Sequence, residues 1–430
     1  MKDFFKYITV SLLTIAAKIM LKQHKPTIVA ITGSVGKTAT KDAVATVLST
    51  KYSVRKSDRS FNSEIGVPLT ILDLDTAWNS VWGWGKNIII GYYRALTQKT
   101  YPEVLVLEIG VDKPGDMAKV TSWIRPNVVI LTRLPNVPVH VENFSSPLSV
   151  TKEKLILVNA LTPDGTLICN IDDEQIQNSL KNFDRRVLSY ARYRQSADFL
   201  ISRDQTIYYD DRPTGLQFDL AVDNEKHTVL IEDAVGMQLA YIHTAAIVAG
   251  YIFSVSVPDA VKVLRTHVPP PGRMRVMKGI KGTTLIDDTY NASPVAMESA
   301  LHTLNEMKYT KRKIAVLGDM LELGVYSIEQ HRRIGRIASK TCDVLITVGV
   351  RSRETASSAL KNGMSEKNIL QYDDAIRAGR ELQNMLSTGD VVLIKASQAV
   401  RAERIVEEVM LEPEKASELL CRQSKGWKSR

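Results

Sequence analysis

The sequence predicts an α/β protein built from two sheet-containing domains, and three observations support this prediction. Short apolar runs, typical of strands buried on both faces, alternate with helix-length segments from residue 26 onward. Three consecutive prolines at 269–271 interrupt this alternation, because neither a helix nor a central strand tolerates them. The alternation then restarts, as expected for a second doubly wound domain.

The first domain is predicted to combine a parallel sheet with a small antiparallel sheet. Its strands are expected at 28–32, 104–108, 128–132 and 165–170, with helices at 36–48, 149–161 and 240–253. Residues 186–235 differ, because they alternate in polarity and contain turn signals such as those at 210–213. They are therefore predicted to form the antiparallel part.

The second domain follows the prolines and is predicted to be Rossmann-like. Its strands are expected at 284–287, 313–317, 344–348 and 391–394, with helical stretches between them. The resulting division is an N-terminal helix at 1–25, a central domain at 26–267 and a C-terminal domain at 268–430.

Charge and cysteine content limit the classes of function. The 430 residues carry a formal net charge of +9, yet no long basic block occurs, so nucleic acid is not an expected partner. The positive charge suits nucleotide phosphates or a membrane surface. Cys169, Cys342 and Cys421 have no zinc-binding spacing, and so sparse a set predicts a reducing, cytoplasmic location without disulfides.

Two segments each leave two interpretations open. The apolar stretch 8–21 is shorter than the roughly 20 residues that span a bilayer, and lysines flank it. Segment 1–25 is therefore interpreted as an amphipathic helix on a membrane surface or as a helix packed on the protein, and no signal-peptide cleavage site is evident. Segment 76–101 holds three of the five tryptophans, which favours a membrane or partner contact or else a helical excursion packed over the sheet.

A phosphate-binding loop connects the first predicted strand to the first helix of the central domain. Its residues are Gly33, Ser34, Val35, Gly36, Lys37 and Thr38. Backbone N–H groups and the helix N-terminus can bind phosphate oxygens there. Lys37 is expected to reach the β- and γ-phosphates and Thr38 to hold Mg²⁺. Because Ile31 replaces a glycine of the general pattern, the loop fits the shorter TGxxGKT form. The central domain is therefore predicted to be a P-loop ATPase domain.

Further motifs narrow the class of ATP-using protein. They are SFNSEIGVPL at 60–69, LEIG at 107–110, GRM at 272–274, DDTYNASP at 287–294 and LGDMLELG at 317–324. Together with the phosphate loop they resemble the Mur ligase family, and within it the branch that adds D-alanyl-D-alanine. The resemblance extends from residue 26 to about residue 410.

This resemblance implies an ATP-dependent, ADP-forming amide ligase of peptidoglycan synthesis that uses Mg²⁺. A substrate carboxylate would attack the γ-phosphate of ATP, and the amine of D-alanyl-D-alanine would then attack the acyl phosphate. The implied partners are ATP, D-alanyl-D-alanine and a UDP-N-acetylmuramoyl-tripeptide or a related acceptor, and the chain is expected to be a monomer. The alternatives are a Mur-like ligase with a lipid-linked or folate-type acceptor, and a nucleotide-regulated scaffold at the membrane.

The resemblance also implies roles for residues around ATP. Metal ligands would be Thr38, Glu108, His140 and Lys154. Lys154 matches a lysine that can be carbamylated to support a second Mg²⁺, with Lys152 as the second choice. Catalytic roles would fall to Lys37, Arg273, Lys154 and His140. Arg273 matches an arginine that reaches the γ-phosphate, Asp288 one that binds the ribose, and Asn291 would lie near the nucleotide.

Substrate contacts are implied for three residues outside the phosphate loop. Asn62 lies in the SFNSEIGVPL motif, and Asp319 and Glu322 lie in LGDMLELG. For Asp319 a helix-capping role is an equal alternative.

The chain departs from the family pattern at four places. The loop 132–140 before His140 is two residues longer than usual, and Gln238 and Leu239 replace a His-Asn pair expected beside the adenine. The segment 395–398 reads KASQ where the family has KGSR. About 25 residues precede the first strand, too few for the family's domain that holds the UDP-sugar, so the acceptor is the least defined substrate.

Overall fold

The computed structural model describes residues 2–57, 61–78 and 80–428, and it confirms the predicted α/β class. Two sheets, of nine and six strands, organise two successive units of the chain. Ser60 of the SFNSEIGVPL motif lies outside the described residues.

The nine-stranded sheet belongs to the first unit. Its strands are β1 (Thr27–Thr32), β2 (Val54–Lys56), β3 (Val104–Glu108), β4 (Val128–Leu131), β5 (Thr166–Asn170), β6 (Arg186–Ala191), β7 (Phe199–Tyr209), β8 (Arg212–Val222) and β9 (Glu225–Glu232). Their order is β2-β3-β1-β4-β5-β6-β7-β8-β9. The antiparallel strands β7 to β9 continue the parallel sheet, since Tyr190 and Ala191 of β6 pair in parallel with Phe199 and Leu200 of β7.

Helices cover both faces of this sheet, as buried parallel strands require. They are α1 (Lys2–His24), α2 (Lys37–Leu48), α3 (Gly66–Leu72), α4 (Val81–Thr97), α5 (Asp116–Thr121), α6 (Pro147–Asn159), α7 (Glu174–Leu180), α8 (Met237–Ile252) and α9 (Val257–Arg265). Apolar side chains of α2, α8 and α9 form the core on one face. Those of α1 and α3 to α7 form the core on the other.

The predicted N-terminal helix is confirmed as α1, which packs on α3 and α4 through buried residues that include Leu13, Ala17 and Met20. The helix extends beyond the apolar stretch 8–21, because Phe4, Phe5 and Tyr7 continue it towards the N-terminus. Within the described part of the chain, one helical stretch, Phe4–His24, is long and apolar enough to cross a membrane by length and composition, a test that buried core helices and signal sequences also pass.

The six-stranded sheet belongs to the second unit and has the order β10-β11-β15-β12-β13-β14. Its strands are β10 (Arg275–Lys278), β11 (Thr284–Asp287), β12 (Lys313–Gly318), β13 (Val344–Val348), β14 (Ile369–Tyr372) and β15 (Val391–Lys395). The helices are α10 (Pro294–Glu306), α11 (Ser327–Thr341), α12 (Arg353–Lys361), α13 (Ala375–Met385), α14 (Glu403–Val409), α15 (Ala416–Leu419) and α16 (Lys425–Lys428). All strands except β10 run parallel, as predicted for a doubly wound domain.

The prolines 269–271 lie between the two sheets, since α9 ends at Arg265 and β10 begins at Arg275. The boundary that we propose at residues 267 and 268 falls in this interval. Backbone hydrogen bonds still connect the units, because Val235 N–H donates to Met274 O and Val276 N–H donates to Asp233 O.

A buried ion cluster fixes the segment after α14 to the second sheet. Glu403, which is fully buried, accepts hydrogen bonds from Arg401 Nε at 2.5 Å and from Arg422 Nη2 at 2.7 Å. Arg422 also donates to the carbonyl oxygens of Thr289 and Tyr290, at 2.6 and 2.9 Å. The carboxylate therefore holds two guanidinium groups beside the DDTYNASP loop.

Replacing Glu403 by alanine should destabilise the protein strongly. The change leaves two largely buried guanidinium groups without their carboxylate, which costs about 3–5 kcal/mol. Urea unfolding followed by circular dichroism measures the effect. The matched control is Glu412→Ala, which removes an exposed pair with Lys415 and should change stability by less than about 0.5 kcal/mol. Equal effects of the two substitutions would contradict a stabilising role for the cluster.

Candidate active site

The phosphate loop lies at the carboxyl end of β1, where α/β sheets place their ligands. Gly33 and Gly36 have φ of +136° and +85°, values that side-chain-bearing residues rarely adopt. Lys37 begins α2, and its Nζ donates to Gly33 O at 3.0 Å. The loop is therefore shaped by its two glycines, as the motif predicts.

The end of β4 supports this loop. Ser34 N–H donates to Arg133 O at 2.8 Å, and Thr132 Oγ1 donates to Val35 O at 2.7 Å. A Cβ on Gly33 would lie 2.1 Å from Thr132 Oγ1, so no side chain fits. Arg133, which replaces a family asparagine, contributes through its main chain.

Glu108 closes the bottom of the cleft. It ends β3 with 1% of its surface exposed, and its Oε1 accepts a hydrogen bond from Asn62 Nδ2 at 3.1 Å. Its Oε2 is buried without a hydrogen-bond partner, which is costly for a carboxylate oxygen unless a cation completes it. The geometry fits a bound cation. The hydrogen bond from Asn62 orients the carboxylate, so Asn62 lies beside the candidate cation site as well as in the cleft.

Lys154 approaches the phosphate loop from α6. It is 2% exposed, and its Nζ lies 3.2 Å from Ser34 Oγ. Burial, with a smaller contribution from the charge of Lys37, lowers the pKa of Lys154 to about 7. Lys152, the second choice from sequence, is exposed. Of the two lysines, Lys154 therefore has the burial and the lowered pKa that suit a reactive amine.

His140 connects the two units. Its backbone has φ of +67°, and its Nδ1 lies 2.9 Å from Glu322 Oε2 in the second unit, while its Nε2 lies 3.8 Å from Asp112 Oδ1. The hydrogen bond from His140 holds the pKa of Glu322 below its ordinary value. The structure thus brings together a residue predicted to bind metal and one predicted to bind substrate.

Arg273 reaches the cleft from the segment after the prolines. Its guanidinium lies 4.0 Å from the centre of the Tyr290 ring, and its Nε is buried without a hydrogen-bond partner. Burial lowers the pKa of Lys37, Glu108 opposes this shift, and the charge of Arg273 adds to it. Arg273 is therefore close enough to the phosphate loop to act on the same ligand.

Asp288 forms a buried ion pair that the sequence motifs do not reveal. Lys395 Nζ lies 2.6 Å from Asp288 Oδ2 and donates to Asn291 O at 2.9 Å. Burial lowers the pKa of Lys395 and the charge of Asp288 opposes that shift. Lys395, in the KASQ segment, is thus a site residue that the sequence analysis did not place; its position at the end of a strand was the available signal.

A further set of residues lines the cleft beyond the phosphate loop, and of these the sequence analysis named only Gln238. Asn170, Tyr190, Gln238, Tyr241 and Ile242 form a wall that mixes aromatic, aliphatic and amide groups. Tyr241 OH donates to Asp172 Oδ2 at 2.9 Å, which fixes its ring. Gln238 Oε1 accepts from Ser299 Oγ at 2.7 Å, so this residue bonds to the second unit in the place where the family has its adenine contact.

Most residues predicted from sequence line one interdomain cleft. They are Ser34, Val35, Gly36, Lys37, Thr38, Asn62, Glu108, His140, Arg273, Asp288, Asn291 and Glu322. Gly33 belongs to the phosphate loop and accepts from Lys37 Nζ, and Lys154 contacts the loop through Ser34. Asp319 lies at the end of β12, and its Oδ1 accepts a hydrogen bond from Ser352 N–H at 2.7 Å, just before the start of α12.

The arrangement suits a nucleotide with a cation. Among the described residues, no three His, Cys, Asp or Glu side chains group closely enough to hold a metal ion by themselves. Mg²⁺ commonly takes one or two protein ligands and completes its shell with phosphates and water. Glu108 with its unpaired oxygen, and the Thr38 hydroxyl on α2, suit that mode.

Two family profiles match the chain. The profile of the Mur ligase middle domain matches residues 31–82 and 85–249, and that of the Mur ligase glutamate ligase domain matches residues 272–398. The matched ranges cover most of both units.

Named relatives are similar over most of the chain. A UDP-N-acetylmuramoyl-tripeptide–D-alanyl-D-alanine ligase of Bacillus subtilis is 28% identical over 406 residues, which are 94% of this chain and 80% of the relative. The MurF ligase of Thermotoga maritima, solved in complex with ADP, has a TM-score of 0.76 at 25% identity and covers 95% of this chain and 84% of its own. A MurF of Acinetobacter baumannii, at 22% identity and a TM-score of 0.74 over 93% of this chain and 79% of its own, shares the fold.

Replacing Gly33 by alanine should abolish nucleotide binding. The added Cβ meets Thr132 Oγ1 at 2.1 Å, so the loop must move away from the phosphate position. Calorimetry with a non-hydrolysable ATP analogue measures the loss, which we expect to exceed about 100-fold in Kd.

Gly115→Ala is the matched control for backbone strain. Gly115 has φ of +87°, and nothing lies within 4 Å of its Cβ position. Its substitution should cost about 1–2 kcal/mol of stability and leave nucleotide affinity unchanged. Unaltered nucleotide binding by Gly33→Ala would contradict the assignment of this loop.

Proposed function

Because this chain belongs to the Mur ligase family of ATP-dependent, ADP-forming ligases, we propose that it adds D-alanyl-D-alanine to a UDP-N-acetylmuramoyl-tripeptide in peptidoglycan precursor synthesis. The observation that carries the proposal is the convergence of the phosphate loop, Glu108 and Arg273 on one interdomain cleft. The substrates are those in the names of the relatives described above.

The first step transfers the γ-phosphoryl group of ATP to the peptide carboxylate. The loop N–H groups and Lys37 bind the phosphates, and Arg273 adds positive charge where the transferred group lies. The carboxylate oxygen forms a bond to phosphorus as the bond to the β–γ bridging oxygen breaks. ADP and an acyl phosphate result.

In the second step the amine of D-alanyl-D-alanine attacks the acyl carbon. A tetrahedral intermediate forms, the nitrogen loses a proton, and inorganic phosphate leaves with the C–O bond electrons. Glu322 and His140 line the cleft where the two units meet, and we propose that the incoming amine passes there. Holding both reactants in one cleft contributes to the rate acceleration.

We propose that Thr38, Glu108 and His140 hold Mg²⁺ in the loaded enzyme. The cation would neutralise phosphate charge and so ease attack by an anionic carboxylate. In this conformation His140 Nδ1 faces Glu322. To bind the cation, His140 would therefore give up its contact with Glu322. Asp288 would likewise exchange part of its contact with Lys395 for a ribose hydroxyl, beside Asn291.

A related acceptor that is linked to lipid is the second candidate. The observation that favours it is the exposed apolar surface formed by α1 and α4.

We propose that the protein is cytoplasmic, because the reaction consumes ATP, and that it contacts the membrane peripherally.

The purified chain should release ADP only when an acceptor peptide and D-alanyl-D-alanine are both present. Mass spectrometry should find one product with the mass of acceptor plus dipeptide less one water.

Arg273→Ala should lower kcat about 100-fold or more, since it removes charge from the phosphoryl-transfer step. The matched control is Arg265→Ala, an exposed arginine paired with Glu232, which should leave kcat unchanged.

If ADP release needs no amine, or no amide forms with either UDP-linked or lipid-linked acceptors, the ligase proposal fails in favour of a nucleotide-regulated scaffold. Amide formation with the lipid-linked acceptor alone would support the second candidate and exclude the first.

Lys154 should form a carbamate that the reaction requires. With a pKa of about 7, the amine is mostly charged at pH 6 and mostly neutral at pH 8, so carbamate formation should rise across that interval. Carbon-13 NMR with labelled bicarbonate should detect one carbamate signal that Lys154→Ala removes and Lys152→Ala, a change at an exposed lysine, retains. A signal retained in Lys154→Ala, or full activity of that variant, would contradict the role.

A further inference from the structure

Helix α4 exposes a continuous apolar stripe on the side away from the sheet. Trp82, Ile89, Tyr93 and Leu96 follow one another at helical spacing and are 91%, 72%, 67% and 66% exposed. The opposite side of the same helix packs inward, with Gly91 and Ala95 buried. So much exposed apolar surface on one helix is unusual for a soluble protein and marks an interaction site.

Helix α1 carries a second exposed stripe. Phe4, Ile8 and Ile15 lie on one side and are 71%, 39% and 48% exposed, with Tyr7 beside them at 72%. Leu13 and Met20, on the other side, are fully buried against the protein. Because Leu13, Ala16, Ala17 and Met20 are part of the core, α1 lies along the body of the protein.

The two stripes belong to one surface. α1 packs against α4, and both helices contribute to the core on the same face of the nine-stranded sheet. A Cβ on Gly91 would lie 3.6 Å from Leu13, which shows how closely the helices approach. Their outward sides therefore face away from the same core. We name the exposed apolar residues of α1 and α4 the apolar face.

The charges carried by the two helices of the apolar face are basic. Neither segment 4–24 nor α4 contains an acidic residue, and Lys18, Lys22 and Lys86 are exposed on them. Lys6 and Arg94 also lie on these helices. Each is paired with a carboxylate outside them, Lys6 with Glu64 at 3.0 Å and Arg94 with Asp73 at 3.4 Å. Apolar and aromatic side chains bordered by lysines are complementary to an anionic bilayer surface.

We propose that the apolar face docks this protein on the surface of a membrane that contains anionic phospholipid. The aromatic residues enter the interfacial region, where rings with one polar end are favoured, and the lysines meet the headgroups. The occupant is the bilayer itself. The proposal goes beyond the ligase reaction and holds whichever acceptor the enzyme uses.

Vesicle sedimentation with the full chain tests the proposal. Vesicles of phosphatidylglycerol with phosphatidylethanolamine should bind the protein, and vesicles of phosphatidylcholine alone should bind it at least about tenfold more weakly. The triple variant Trp82→Ser, Ile89→Ser, Tyr93→Ser should weaken binding to the anionic vesicles about tenfold or more. The variant Lys18→Glu, Lys22→Glu, Lys86→Glu should remove the preference for anionic vesicles.

The matched control changes exposed apolar residues elsewhere, as Tyr209→Ser, Leu360→Ser, Ile376→Ser, and should bind vesicles like the unchanged chain. The affinity of every variant for an ATP analogue is measured as well. An unchanged affinity shows that the fold is intact, and this measurement does not depend on the ligase reaction.

Absence of binding to either vesicle, or equal binding by the apolar-face variant, would overturn the proposal. Light scattering that finds a dimer would also overturn the proposal if the apolar-face variant converts that dimer to monomers. The occupant of the apolar face would then be a second copy of the chain.

Discussion

The burial of lysine side chains around the interdomain cleft is the constraint on which the rest of the site depends. Lys37, Lys154 and Lys395 lie close to the phosphate loop or to Asp288, and Arg273 joins them from the second unit. Burial disfavours the charged forms of the three lysines and lowers their pKa values. The negative charge of a polyphosphate would favour those charged forms, so the same burial suits the cleft to a phosphate ligand.

Polar side-chain contacts between the units flank the cleft. His140 meets Glu322 on one side, and Gln238 meets Ser299 on another. Such contacts are individually worth little, because water can replace them. The units are also joined by the backbone hydrogen bonds of Val235 with Met274 and of Val276 with Asp233, so the side-chain contacts at the cleft can be exchanged for substrate groups while the units stay connected.

The sequence predicted the parts of the site that depend on local pattern. The phosphate loop and Glu108 follow from strand ends and glycine spacing, which a few neighbouring residues determine. The pair of Lys395 with Asp288 could not be predicted in that way, since it joins separate strands through folding. The connection of the antiparallel strands to the parallel sheet rests on only two pairs of residues, of which Tyr190–Phe199 is one, and no motif marks it.

The Arg422 anchor has a consequence for how the enzyme comes into being. The phosphate loop emerges from the ribosome early, whereas Arg422, which donates to the carbonyl oxygens of Thr289 and Tyr290, emerges far later, as does its partner Glu403. The first unit can bury its own two cores before that point. The nucleotide-facing loop of the second unit gains these two hydrogen bonds only when translation has passed residue 422. A nascent chain arrested before that residue would hold a finished phosphate loop facing a partner loop without this anchor.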